Sequence, residues 1–261
     1  MFHVMKQKVR RTNVEDRKLT VRAVERALDI LMCFTRTNEL GLTEIAGQIG
    51  LHKSTVHRLL TTLEEKGFII RDPSTDKYRL GIRVWELSTH LDHSDDPAIL
   101  LRPAMERLRD RLGETVSLYL RDGRDRLRIQ AVQSNQAIRR VAQIGARLPL
   151  TVGASSKVLV AFSSEAEQEE LLQDPEWTSA IDVASYKEQL AIIRATGYAT
   201  SFEEREPGAA AVAVPIMNRA GKLAAALSVS GPVTRLSAQT LDEYAPVLME
   251  SAHEMGLMIN S

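Results

Sequence analysis

Residues 42–66, LTEIAGQIGLHKSTVHRLLTTLEEK, constrain the fold of this 261-residue chain more than any other stretch. Two short segments of helical hydrophobic period meet at Gly50-Leu51. The first takes Thr43 as its N-cap, buries Ile45, Ala46 and Ile49, and ends at Gly50. The second runs from about Lys53 to Lys66. Its Val56, Leu59, Leu60 and Leu63 fall at i, i+3, i+4 and i+7, one face of a helix. Ser54, His57, Arg58 and Thr61 cluster on the opposite face, and Gly67 stops the helix. Then FIIRD and KYRLG flank the Pro-led polar turn PSTD, a hairpin carrying Arg71, Lys77 and Arg79.

Two helices joined by a tight glycine turn and followed by a basic hairpin make a winged helix-turn-helix. Its buried residues fix the angle between the helices, and that angle presents the outer face of the second to a DNA major groove. Ser54, His57 and Arg58 are placed to reach base edges. Lys53 and Thr55, at the helix start, suit phosphates, because unpaired N–H groups and the helix dipole favour anions there. Arg71, Lys77 and Arg79 on the wing suit the DNA backbone or minor groove. The net charge of zero hides an asymmetry with the same meaning. Residues 1–80 carry 15 Lys+Arg against 10 Asp+Glu, and residues 81–261 carry 19 against 24. The same amphipathic pattern also fits a solvated helix face, or an adaptor whose winged domain binds protein.

Around this unit the chain divides into a basic N-terminal arm (1–18), the winged domain (19–81), a linker helix (82–96) and a second domain (97–261). A helix from Thr20 places Val21, Val24, Leu28 and Leu31 at helical spacing. The linker helix sets Ile82 and Trp85 on one side, with Trp85 suited to a dimer contact, and ends at the polar break SDDP. Beyond it one helix is expected over 98–112. TVSLYL and RLRIQAV form a hairpin turning at Asp122-Gly123, and AAAVAVPIM and KLAAALSVSG form another. Helices are expected at ASSKVLVAF, SEAEQEELL and YKEQLAIIRATG. A final one, about 238–258, buries Leu241, Ala245, Leu248, Ala252 and Met255. The alanine-rich strands leave room on a sheet face for a ligand or a packed helix.

No apolar run is long enough to span a membrane and the N-terminus lacks a signal-peptide core, so a cytoplasmic protein without a membrane partner is expected. Cys33 is the single cysteine and reads as a small buried hydrophobe. His90 and His93, with Asp92, Asp95 and Asp96, read as a solvated helix end rather than a metal site. No nucleotide-binding or nucleophile-elbow motif occurs and no cofactor is expected. An enzymatic second domain would need a nucleophile beside a base. The only histidine beyond residue 93 is His253, with no paired partner in the sequence.

VERALDILMCF, LTEIAGQIGLHKSTVHRLLTTLEEKGFI and YRLG resemble the DNA-binding domain of the IclR-type bacterial transcriptional regulators. GETVSLYL, GARLPLTVGASSKVLVAF, GYATSFEEREPGAAAVAVPI and LAAALSVSGP resemble that family's effector domain, in order and spacing. The resemblance covers about residues 20–255. It implies an α+β chain: a winged helix-turn-helix joined by a linker helix to a GAF-like effector-binding domain. It also implies a homodimer or homotetramer, a double-stranded operator DNA partner, and a ligand-responsive regulator, a repressor of a catabolic operon. Matching positions in acid-sensing members gives Ala154, Ser155, Ser201, Ala211, Ser228 and Ser230 as effector-binding residues. Where some acid-binding members carry aspartate and cysteine, this chain has Ser201 and Ala211, so a less polar pocket and a small organic acid or aromatic metabolite are expected. Arg147 is placed either to meet a carboxylate effector or to pair with a protein acid.

Overall fold

The computed structural model describes residues 20–35, 37–89, 96–139 and 141–259. The expected basic arm (1–18), His90, His93 and the first half of the polar break SDDP lie outside the described residues. The chain divides between residues 93 and 94 into two compact units.

In the first unit, α1 (Arg22–Cys33), α2 (Leu42–Ile49) and α3 (Lys53–Glu65) pack over a small sheet. Ile30, Ile45, Val56, Leu60 and Ile69 are fully buried between them. Each such side chain contributes about 1.5–3 kcal/mol relative to exposure, which is what holds three short helices together. Gly50 ends α2 in the left-handed conformation (φ 65°), the geometry a non-glycine residue rarely adopts and the source of the tight turn into α3.

One local expectation is corrected here. The N-cap of α2 is Gly41 rather than Thr43, with the Glu44 carboxylate accepting the Gly41 N–H at 2.7 Å. Thr43 stands inside the helix instead. The helix expected from Thr20 forms, and Val21, Val24 and Leu28 on its apolar stripe are exposed. Its buried positions are Ile30 and Cys33, because α2 and α3 take the far side of its last turns. Finally, β2 (Ile69–Arg71) and β3 (Lys77–Leu80) form the expected hairpin, and β1 (Leu40–Gly41) joins it on the far edge of β3. Two residues of strand carry no periodicity for a sequence to show. The following α4 (Ile82–Thr89) buries no side chain in its unit.

The second unit is built on one antiparallel sheet of order β6-β5-β4-β9-β8-β7. Its strands are β4 (Thr115–Asp122), β5 (Asp125–Val132), β6 (Arg147–Pro149), β7 (Ala199–Phe202), β8 (Ala209–Met217) and β9 (Leu223–Pro232). One face is covered by α6 (Arg102–Leu112) and α11 (Ala238–Met258), and all five expected positions of α11 are buried. The other face receives α7 (Ala154–Ala161) and α10 (Val183–Thr196). The helix expected over 98–112 is two: α5 (Pro97–Leu100) and α6. Pro103 has no N–H to continue the first helix into the second. Between α7 and α10, α8 (Glu165–Leu172) is capped by Ser164, and α9 (Pro175–Thr178) brings buried Trp177 edge-on to Tyr186 at 5.4 Å.

Candidate functional site

The first candidate surface is the outer side of α3 with the wing. Val56, Leu60 and Leu63 point inward, so the 100° step of the helix turns Lys53, Ser54, Thr55, His57 and Arg58 to solvent, and all five are exposed. The helix start is set by His52, which sequence reasoning overlooked because side-chain oxygens are the usual caps. Its Nδ1 accepts the Ser54 N–H at 3.3 Å and lies 2.8 Å from the Ser54 hydroxyl, fixing that serine at the first turn.

On the wing Arg71, Lys77 and Arg79 are exposed as well. Arg71 is tied down. It pairs with Asp76 at 2.8 Å and lies 6.0 Å from the Tyr78 ring centre. Asp76 sits at φ 57°, and Asp72 closes the turn by accepting the Ser74 hydroxyl (2.6 Å) and amide (2.8 Å). These bonds hold the Asp72 carboxyl below its usual range, with the Ser74 hydroxyl the largest cause.

The second candidate is a cleft between the head of α7 and the facing side of the sheet, with about 440 Å³ of empty volume, part of it open to solvent. Ala154, Ser155, Ser201, Ala211, Ser228 and Ser230 all line it. Sheet register explains the convergence. Ser228 and Ser230 alternate onto one face of β9 and lie opposite Ala213 and Ala211 of β8, and Ala211 lies opposite Ser201 of β7. These side chains are small, so α7 does not close the gap.

The cleft is more polar than the exchange at Ser201 and Ala211 implies, because sequence reasoning missed Tyr119, Arg126, Glu204, Arg205 and Glu206 in its wall. Arg126 and Arg128 are buried on β5, while Leu127 and Ile129 between them are only partly so. Arg126 donates to the carbonyls of Pro149 (3.1 Å) and Val152 (2.6 Å), and its guanidinium packs against Gly153. Arg128 donates to the Tyr119 hydroxyl at 2.7 and 3.0 Å. The period-two alternation of R-L-R-I-Q was the available signal, with polar residues inward. From the turn after β7, Glu204 accepts the Gly153 N–H at 2.9 Å and pairs with Lys157. Burial pushes the Tyr186 hydroxyl pKa well up, and the Glu204 charge raises it further. Arg147 pairs with Asp122, away from the cleft lining. Burial likewise raises the Cys33 thiol pKa, as expected of a packed cysteine.

No group of three or more His, Cys, Asp or Glu side chains among the described residues is arranged to hold a metal ion. Among those residues no helix is long and apolar enough to cross a membrane.

A helix-turn-helix with a basic wing and an outward polar face, on a chain whose second unit holds a polar cleft, defines the class of helix-turn-helix transcriptional regulators. The IclR helix-turn-helix domain model matches residues 23–73, and the model of the bacterial transcriptional regulator IclR C-terminal domain matches residues 92–256. The chain belongs to the IclR family of transcriptional regulators, whose members are regulators and not enzymes. The HTH-type transcriptional regulator XynR of Escherichia coli is 35% identical over 237 residues, covering 88% of this chain and 94% of its own. The crystal structure of the IclR transcriptional regulator from Alicyclobacillus acidocaldarius superposes with a TM-score of 0.77 at 26% identity, covering 92% of this chain and 100% of the other. An IclR homologue from Microbacterium hydrocarbonoxydans, crystallised with 4-hydroxybenzoate, shares the fold at 24% identity (TM-score 0.76, 91% and 98% covered).

Proposed function

We propose that this regulator is a homo-oligomeric repressor of a catabolic operon. In this reading it reads operator DNA through α3 and its wing and senses a small organic acid in the α7 cleft. The observation that carries the sensing half is the convergence of six separately placed residues on one cleft headed by a helix N-terminus. Amide N–H groups at such a head carry partial positive charge and favour a carboxylate. The DNA half rests on the exposed face of α3, where Arg58 and His57 reach base edges, Lys53 and Thr55 meet phosphates, and Lys77 and Arg79 add backbone contacts.

Dimerisation is supported by apolar side chains that one copy leaves exposed: Val21, Val24, Leu28 and Met32 on α1, and Ile82, Trp85 and Leu87 on α4. Two copies would present two α3 helices to half-sites about 34 Å apart. The effector then acts by binding two dimer geometries unequally, and it shifts DNA affinity only as far as that inequality reaches. An adaptor role for the winged domain predicts no salt-dependent retention on duplex DNA, which separates it from this reading.

The test is effector response in wild type and Ser155→Trp, with 4-hydroxybenzoate and short aliphatic acids as ligands and operator release as readout. Ser155→Trp fills the cleft and abolishes the response while sparing DNA binding. A retained response moves the sensor site elsewhere.

A further inference from the structure

Four hydroxyls in the cleft decide what kind of acid it takes. Ser155 and Ser228 are 4% exposed, and Ser201 and Ser230 are 8% exposed. All four line the cleft, and none of their hydroxyls has a hydrogen-bond partner among the described residues. Away from the cleft, Ser134 donates to Gly113 O at 2.6 Å and Ser156 to Pro149 O at 3.0 Å, while the buried Ser117 hydroxyl is unpaired. The four cleft hydroxyls are not spent on the protein, so they can donate to and accept from whatever fills the cleft.

The rest of the wall points the same way. The one aromatic ring lining the cleft, Tyr119, already carries the Arg126 guanidinium 5.4 Å and the Arg128 guanidinium 5.1 Å from its centre. Its hydroxyl is occupied by Arg128. The ring is therefore engaged by the protein and is not a free stacking platform. The other lining side chains are methyl groups and charged heads, with no leucine, isoleucine, valine or phenylalanine among them. Glu204 is matched by Lys157, and Arg205 by Glu206 at 2.6 Å. The head of α7 offers the Ala154 and Ser155 amides to an anion, and Arg126 brings its positive charge beside them.

We infer that the effector is a polyhydroxylated carboxylate, a sugar acid, rather than an aromatic or alkyl acid. Its carboxylate lies at the head of α7 and its hydroxyls pair with Ser201, Ser228 and Ser230 along the strands. An alkyl or aryl acid of equal length satisfies the charge and strands the serines, and a site that hydrogen-bonds hydroxyls rejects analogues that lack them. This inference rests on the sensor reading above and narrows its ligand.

The experiment is calorimetric titration of the full-length protein with D-gluconate, D-galactonate and L-arabinonate, against hexanoate as the unhydroxylated control, 4-hydroxybenzoate as the aryl control with a single phenolic hydroxyl, and glucitol as the uncharged control. At least one sugar acid binds tenfold or more tighter than hexanoate, 4-hydroxybenzoate and glucitol. Ser228→Ala and Ser230→Ala each weaken it about 2- to 10-fold and leave hexanoate unchanged. These substitutions remove only an oxygen from strand interiors, and unchanged melting temperatures confirm that folding is kept. If hexanoate or 4-hydroxybenzoate binds as tightly and Ser155→Trp abolishes that binding, the sensor reading stands and the sugar-acid inference falls. If no acid responds to Ser155→Trp, both fall.

Discussion

Glu204 reaches from the turn after β7 to accept the Gly153 amide at 2.9 Å, and the same carboxylate pairs with Lys157 one turn into α7. One side chain thus ties the cleft's rim to the helix that heads it. Lys157 is largely buried and also donates to Thr200 O at 3.2 Å. Glu204→Gln leaves that ammonium without its counter-charge and destabilises the second unit by about 1–3 kcal/mol. Urea denaturation should show a lower midpoint at an unchanged slope. The double replacement Lys157→Met with Glu204→Leu recovers most of the loss, because neither charge is then left alone.

A close backbone approach fixes Gly256. A methyl group added there would stand 2.0 Å from the Met217 carbonyl oxygen, where α11 crosses the end of β8. Backbone cannot swing away as a side chain does. Gly256→Ala therefore forces α11 outward and costs about 1–3 kcal/mol or more, read as a drop in melting temperature.

The wing separates two kinds of cation. Lys77 has no ion-pair partner among the described residues, whereas Arg71 is held by Asp76. Lys77→Ala weakens binding to every duplex and flattens the salt dependence by about one charge. Arg71→Ala releases less, because part of its charge is already spent on Asp76. Anisotropy titrations at several salt concentrations measure both, and a loss confined to one DNA sequence would contradict the phosphate role of Lys77.

Asp72 gives the wing turn an acid limit. The Ser74 hydroxyl and amide stabilise the carboxylate and depress its pKa. With a depressed folded value, the contribution is complete above the unfolded aspartate value near pH ~4 and fades as pH falls through the folded value. Ser74→Ala raises the Asp72 pKa toward its ordinary range. Carbon-detected NMR titration of the Asp72 carboxyl reads the change directly.

What the sequence disclosed follows physical periodicity. The inward stripe of α3, the five buried positions of α11 and both long hairpins are legible because burial repeats at 3.6 or 2 residues. The same period disclosed α1, although Val21, Val24 and Leu28 on its stripe are exposed. The six cleft positions came through family likeness, since small residues carry no chemical signature of their own. Arg126 and Tyr119 escaped because a buried arginine inverts the usual rule and donates to carbonyls 23 and 26 residues away in sequence. Glu204 escaped for the same reason: Gly153, its partner, is 51 residues distant.

The central claim is that the polar face of α3 reads DNA, and Arg58 tests it most directly. Footprinting the purified protein across its own genome supplies the operator. Anisotropy on that duplex then compares wild type with Arg58→Ala, which has no structural contact to lose beyond the helix surface. The account predicts a loss of about 1–3 kcal/mol, roughly 5- to 150-fold, on the operator and a smaller loss on unrelated duplex. Undiminished operator affinity in a folded Ser54→Ala, His57→Ala, Arg58→Ala triple variant would contradict it.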